Sequence, residues 1–167
     1  MKSLLMTDLL TQKTFRAIAP NFFIFLMSLV PFLFLPLTHL FLPNLGIGAL
    51  YFWAVYCPEK ISLWVIFGSG LLQDGLFGTP LGLFGCLNLL FWILTIAHRK
   101  YLFKRSFLMG WFGFFILYSV TFILKECVIW ALQRPLYSES MMLEEITSLL
   151  SYPFVAIVCL YVHRKSS

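Results

Sequence analysis

Gly70-Leu71-Leu72-Gln73-Asp74-Gly75-Leu76-Phe77-Gly78-Thr79-Pro80-Leu81-Gly82 places a carboxylate inside an otherwise apolar run, with Gly70, Asp74, Gly78 and Gly82 spaced four apart. In a bilayer a charged side chain is costly, so it faces the protein interior or a water-filled cavity. Glycines at this spacing on one helix face let a second backbone come close, which is how helices pack in lipid. The stretch therefore predicts a seam of Gly70, Asp74, Gly78 and Gly82 that serves helix packing or contact with a partner. For Asp74 three roles stay open: structural glue or partner contact, a substrate or ion site, and a proton relay. A relay needs several titratable groups in line, and only Lys125 and Glu126 stand at similar depth.

Working outward, the chain keeps the same character. Of its 167 residues 60% are hydrophobic and 11% charged, with a mean hydropathy of +0.90; soluble domains carry roughly 25% charged residues. So few polar groups could not cover a soluble globule of this size. The expected fold class is all-α, a polytopic bundle of transmembrane helices. At about 20 residues per span the length holds five or six helices and no separate soluble domain.

Helices are expected at Asn21–His39, Asn44–Cys57, Ile61–Gly78, Leu81–Ala97, Phe107–Leu132 and Ile146–Val162. Between them fall Pro43-Asn44, Pro58-Glu59-Lys60, Gly78-Thr79-Pro80, the basic run His98–Arg105 and the polar segment Gln133–Glu145. The second is short: 14 residues cover ~21 Å against a hydrocarbon core of roughly 30 Å, a thin-membrane span or a re-entrant piece. Pro31, Pro36 and Pro153 lie within apolar helices and are expected to shape the first and last spans. The first apolar run, from Asn21, is too long for the core of a cleaved signal peptide. Residues 1–20 form a leader, either a short interfacial helix or a disordered basic arm. Residues 21–162 form the six-span domain and 163–167 a short tail.

Charge distribution sets the orientation. Lys2, Lys13, Arg16, Lys60, Arg99, Lys100, Lys104, Arg105, Arg164 and Lys165 all share one side if six helices span, leaving Arg134 opposite and Lys125 within the membrane. Five spans would destroy that asymmetry, so six spans with both termini cytoplasmic are expected. The net charge of +5 is then a topology signal. Nucleic-acid binders gather Lys and Arg on one exposed stripe, and no nucleic acid is expected as partner.

A buried carboxylate needs a partner or a proton. Lys125 is the basic residue at matching depth, so an Asp74–Lys125 pair is expected; Glu126, about 100° round the helix, reaches the headgroups or sits protonated. Enzyme signatures are missing: His39, His98 and His163 stand far apart, and no Gly-x-Ser-x-Gly, P-loop or His-Glu-x-x-His pattern occurs. Cys57, Cys86, Cys127 and Cys159 form no Cys-x-x-Cys pair and read as small hydrophobes. No catalytic residue, metal site, cofactor or small-molecule substrate is expected.

Pro43-Asn44, Tyr51, Trp53, Pro58 and Gly70-x-x-x-Asp74-x-x-x-Gly78-Thr79-Pro80-Leu81-Gly82 together resemble the MreD family of rod shape-determining proteins, over about Pro43–Ser106. The resemblance implies a non-enzymatic scaffold of the bacterial elongation machinery that governs rod shape and lateral peptidoglycan synthesis. It implies an inner-membrane location and MreC, MreB, RodA and a transpeptidase as partners. It also implies a fold similar to the substrate-binding subunits of energy-coupling-factor transporters. A vitamin-type binding subunit is therefore the alternative. Such a subunit needs polar and aromatic groups converging from several helices, and beyond Asp74, Gln73 and Asn88 this chain offers few polar side chains.

Overall fold

The computed structural model describes residues 18, 20–30, 43–102, 106–132 and 139–166. The leader through Ala17, the end of the first expected helix with Pro31, Pro36 and His39, Lys104 and Arg105, and Gln133–Ser138 with Arg134 lie outside the described residues. Among the described residues there are six helices and no strand: α1 (Pro20–Val30), α2 (Leu45–Tyr56), α3 (Leu63–Phe77), α4 (Leu83–Leu102), α5 (Phe107–Ala131) and α6 (Glu139–Ser166). A 3-10 turn, Pro58–Lys60, joins α2 to α3.

Neighbouring side chains fix the direction of each helix. Tyr51 meets Phe91 and Val55 meets Arg99, so α2 and α4 run parallel. Asn44 meets Ser148 and Trp53 meets His163, so α6 runs the same way. Phe84 lies by Lys125 and Phe91 by Phe114, which sets α5 antiparallel to α4. Ser28 abuts Gly46 while Asn21 bonds at Lys60 and Ser62, so α1 opposes α2. Gly70 abuts Gly85 while Asp74 bonds at Gly82, so α3 opposes α4. The six helices thus alternate in direction along the chain.

α2 is the axis of the bundle. Its residues Gly46–Val55 are all buried, and a helix apolar on every side belongs inside a protein or a membrane. α1, α4 and α6 surround it. Glycines admit two of those neighbours: a methyl group at Gly46 would strike Ser28 of α1, while Gly48 has Val155 and Tyr152 of α6 at 3.6–3.7 Å. Around Tyr51 gather Phe91, Phe114 and Tyr152 from three other helices, with ring centroids 5.3–6.2 Å from it and tilted or edge-on geometry that favours aromatic pairs beyond simple burial.

Outside, the polarity inverts. Phe107, Leu108, Phe112 and Phe115 of α5 and Phe154 and Ile157 of α6 are each 47–72% exposed. Contiguous apolar surface on this scale marks contact with a membrane or another protein. Inside stand Ser28, Ser69, Gln73, Asp74, Asn88, Thr95, Thr121 and Ser148. Phe107–Ala131 and Glu145–Arg164 are long and apolar enough on their own to cross a bilayer.

Two boundaries differ from expectation. α4 continues to Leu102 through the first basic residues, since cations suit the negative end of a helix. α6 begins at Glu139 and absorbs most of the expected acidic connection; carboxylates are likewise favoured in a first turn. Pro153 sits inside α6 without ending it. Its missing N–H frees the carbonyl four residues back, and that carbonyl, Leu149 O, accepts the Trp111 indole N–H at 3.3 Å. A neighbouring helix has repaired the gap, as buried prolines in membranes require.

Candidate functional site

The α3–α4 junction is where the quoted stretch acts, and Asp74 organises it. α3 stops because Gly78 takes the left-handed conformation (φ 67°), its N–H closing on the Asp74 carbonyl. Thr79 N–H reaches the same carbonyl at 3.2 Å. Pro80 then redirects the chain and Gly82, at φ 96°, turns it into α4. Both glycines supply a conformation that an L side chain adopts only with strain.

The Asp74 side chain is fully buried and faces this turn. Oδ1 accepts the Thr79 hydroxyl at 2.7 Å and the Phe84 N–H at 3.0 Å; Oδ2 accepts the Gly82 N–H at 2.8 Å. Gly82 and Phe84 flank the first residue of α4, where backbone N–H groups have no partner within the helix. A carboxylate there answers those donors and the positive end of the helix dipole together. The aspartate near the end of one helix therefore caps the start of the next.

This corrects the expected Asp74–Lys125 pair. Lys125 Nζ lies 3.7 Å from Glu126 Oε1 and over the rings of Phe122 (4.6 Å) and Phe84 (5.9 Å), which attract a cation by their quadrupole. The carboxylate needs no ammonium because three donors and a helix terminus lie within ten residues of it. Glu126 Oε1 is buried without a hydrogen-bond partner.

The four-residue spacing is corrected too, in its geometry. Gly70 lies against α4: a methyl group there would strike the backbone of Phe84 and Gly85. Gly85, in turn, holds its place because a methyl group would come within 2.8 Å of the Phe67 ring. A methyl group at Gly78 or Gly82 would meet nothing within 4 Å, and both residues serve the turn. Gly70 and Asp74 share α3; Gly78 and Gly82 are not on its face. The partner that sequence spacing missed is Gly85, fifteen positions on, and the missed donors are Thr79, Gly82 and Phe84. Gly78-Thr79-Pro80-Leu81-Gly82 already carried the turn signal.

Other polar residues are spent in the same way. Asn44 caps α2, accepting from Ile47 N–H at 3.4 Å, while its own N–H goes to the Ser148 hydroxyl at 2.8 Å. At the far end Arg99 Nε donates to Val55 O at 2.8 Å. Asn21 holds the entry to α3, donating to Lys60 O and accepting from Ser62 N–H, both at 2.8 Å. Tyr51 donates its hydroxyl to Gly110 O at 2.8 Å. Trp53 Nε1 is buried without a bond. The four cysteines are free thiols.

Beside Lys125 a cavity of about 30 Å³ is lined by Asn44, Asn88, Thr121 and Phe122 among others. That is room for water and about a tenth of the lower end of small-molecule sites, which run to roughly 300–1,000 Å³. A larger, wholly apolar groove of about 440 Å³ lies between α5 and α6, along Trp111, Phe112, Phe115, Ile146, Leu149 and Leu150. Among the described residues no group of three or more His, Cys, Asp or Glu stands ready for a metal.

No curated protein and no solved structure matches the chain, so the likeness to energy-coupling-factor subunits rests on the resemblance alone. The family model of the rod shape-determining protein MreD matches residues 12–164, nearly the whole chain and well beyond the block that carried the resemblance. The chain belongs to the MreD family, bacterial membrane proteins of rod-shape determination.

Proposed function

We propose that the protein is a non-enzymatic scaffold of the cell-wall elongation complex, crossing the inner membrane six times with both termini in the cytoplasm. The observation that carries this reading is the use made of the polar interior. Asp74, Asn44, Arg99, Asn21 and Tyr51 each hold backbone groups of the chain's own helices. They are built to fix a shape. The alternating helix directions support six spans, and ten basic residues on one side support the orientation.

MreC is the proposed direct partner, with MreB filaments, RodA and its transpeptidase as the machinery served. Gly70 is closed against the protein's own α4, so a partner helix would dock elsewhere on the apolar exterior. The vitamin-binding alternative needs a ligand-sized polar site near the outer face, and the cavity beside Lys125 measures only about 30 Å³, far below the roughly 300 Å³ of the smallest such sites. Co-purification from native membranes of a rod-shaped host tests the proposal. Recovery of MreC with the protein, together with restored rod shape in a deletion strain, is expected. A stoichiometric vitamin-like small molecule recovered without MreC would overturn it.

A further inference from the structure

We propose that the cleft between α2, α5 and α6 holds a segment of one acyl chain of an anionic glycerophospholipid, whose headgroup rests on the basic ends of α4 and α6. The cleft measures about 140 Å³ and is walled by Tyr51, Phe52, Tyr152, Ala156, Ile157 and Leu160, with Tyr56 and Ser106 also on its lining. The Tyr51 hydroxyl is already committed to Gly110 O, so the lining offers chiefly hydrocarbon and ring faces. An apolar cavity of about 150 Å³ takes up a benzene-sized group. This one accordingly fits several methylenes of a chain, neither a whole lipid nor a vitamin-sized ligand. Ile157 and Leu160 are 64% and 37% exposed, so a chain can enter sideways from the bilayer.

Charge selects the headgroup. Arg99 donates to the carbonyl of Val55, a residue of the cleft wall, and exposed Lys100 follows it in α4. The Tyr56 ring lies 6.1 Å from that of His163, and exposed Arg164 comes next in α6. Ser106, which makes no capping bond with its side chain, begins α5 at the same cleft, adding the positive end of a helix. The one acid described at this end is Glu59, beside Lys60. A zwitterionic headgroup gains little from this collar, whereas an anionic one gains from each cation near the surface.

The inference goes beyond the scaffold reading, and its readout is lipid retention by the purified full chain, independent of cell shape. Native mass spectrometry is run in detergent containing equimolar dioleoyl phosphatidylglycerol and dioleoyl phosphatidylcholine. One phosphatidylglycerol is expected to be retained in preference to phosphatidylcholine. The double variant Lys100→Gln with Arg164→Gln should weaken that retention on the order of thirtyfold, about fivefold per cation, and leave phosphatidylcholine unchanged. Ile157→Trp, at an exposed position, should block the cleft and abolish retention; Leu160→Trp is the second plug should the first disturb helicity by circular dichroism. Equal retention of both lipids, or undiminished phosphatidylglycerol binding by the folded plugged variant, would overturn the proposal.

Discussion

If Asp74 is the cap of α4, its replacements should rank by the donors they strand, and Lys125 should be irrelevant to that ranking. Asp74→Ala removes all three acceptor contacts and leaves the Gly82 and Phe84 N–H groups and the Thr79 hydroxyl to find other partners. Hydrogen bonds to charged groups contribute about 1.5–3 kcal/mol each, and an orphaned buried donor costs about 1–3 kcal/mol, so a loss of about 4 kcal/mol or more is expected. Asp74→Asn keeps one oxygen for Thr79 and Phe84 but turns an amide N–H₂ toward the Gly82 N–H, for a loss of about 2–4 kcal/mol. Thr79→Val removes one donor and keeps the shape, so about 1–2 kcal/mol is expected. The measurement is thermal and denaturant unfolding of purified protein in one detergent, followed by circular dichroism. The decisive comparison adds Lys125→Met. Independent sites add to within about 0.5 kcal/mol, so Asp74→Asn with Lys125→Met should be as unstable as the two single losses summed. The capping account is falsified if Lys125→Met restores most of what Asp74→Asn loses, because only a charge pair couples in that way.

Three further outcomes follow from other contacts. Trp111→Phe should cost about 1–3 kcal/mol by orphaning Leu149 O, and much less when Pro153→Ala restores an N–H to that carbonyl; equal costs in both backgrounds would refute the indole repair. Gly70→Ala should destabilise the bundle severely and round the cells of a complemented host, while Gly75→Ala, exposed and with open space around it, should be neutral or stabilising by up to about 1 kcal/mol; a reversed order would show that α3 and α4 do not touch at Gly70. Single cysteines at Ser138 and Ser166, in a background lacking the four native ones, should label from opposite sides of intact cells with an impermeant thiol reagent, and labelling of both from outside would sink the six-span topology.

The all-α class was legible because hydropathy is a property of whole segments. Four of the six expected helices keep their places to within about two residues at the ends the structure describes, while α4 runs five residues past Ala97. α6 exceeds its expected start by seven, because Glu139, Glu144 and Glu145 look like a loop when counted as charge, whereas an acidic residue in the first turn, as Glu139 is by position, suits a helix start. The importance of Asp74 was visible as a carboxylate among apolar residues, but its partner was not. A search for opposite charge at equal depth finds Lys125. The actual partners are two backbone N–H groups and a threonine hydroxyl, which no charge count contains. The glycine pattern misled for a related reason. Spacing of four reads as one face only while the helix continues, and the turn residues Gly78, Pro80 and Gly82 end it. Gly85, Ser148 and Arg99 act through contacts made by folding, and nothing local marks them.

The short α2 shows how these parts depend on one another. Twelve residues rise about 18 Å, too little to cross a hydrocarbon core of roughly 30 Å. At least one end of such a helix stands at membrane depth, where unpaired N–H or C=O groups facing lipid are prohibitive unless protein covers them. Here α6 supplies Ser148 to the start, and α4 supplies Arg99 to the end. α4 can deliver Arg99 only if it runs parallel to α2 in the right register, and that register is set at its other end, where Asp74 fixes the first turn and Gly70 meets Gly85. The cap on α4 is therefore also a support for α2. Losing it should loosen the Arg99–Val55 contact some sixteen residues away along α4, although neither residue touches Asp74. Amide hydrogen exchange near Cys57, faster in Asp74→Ala than in Lys125→Met, is the expected sign of that dependence.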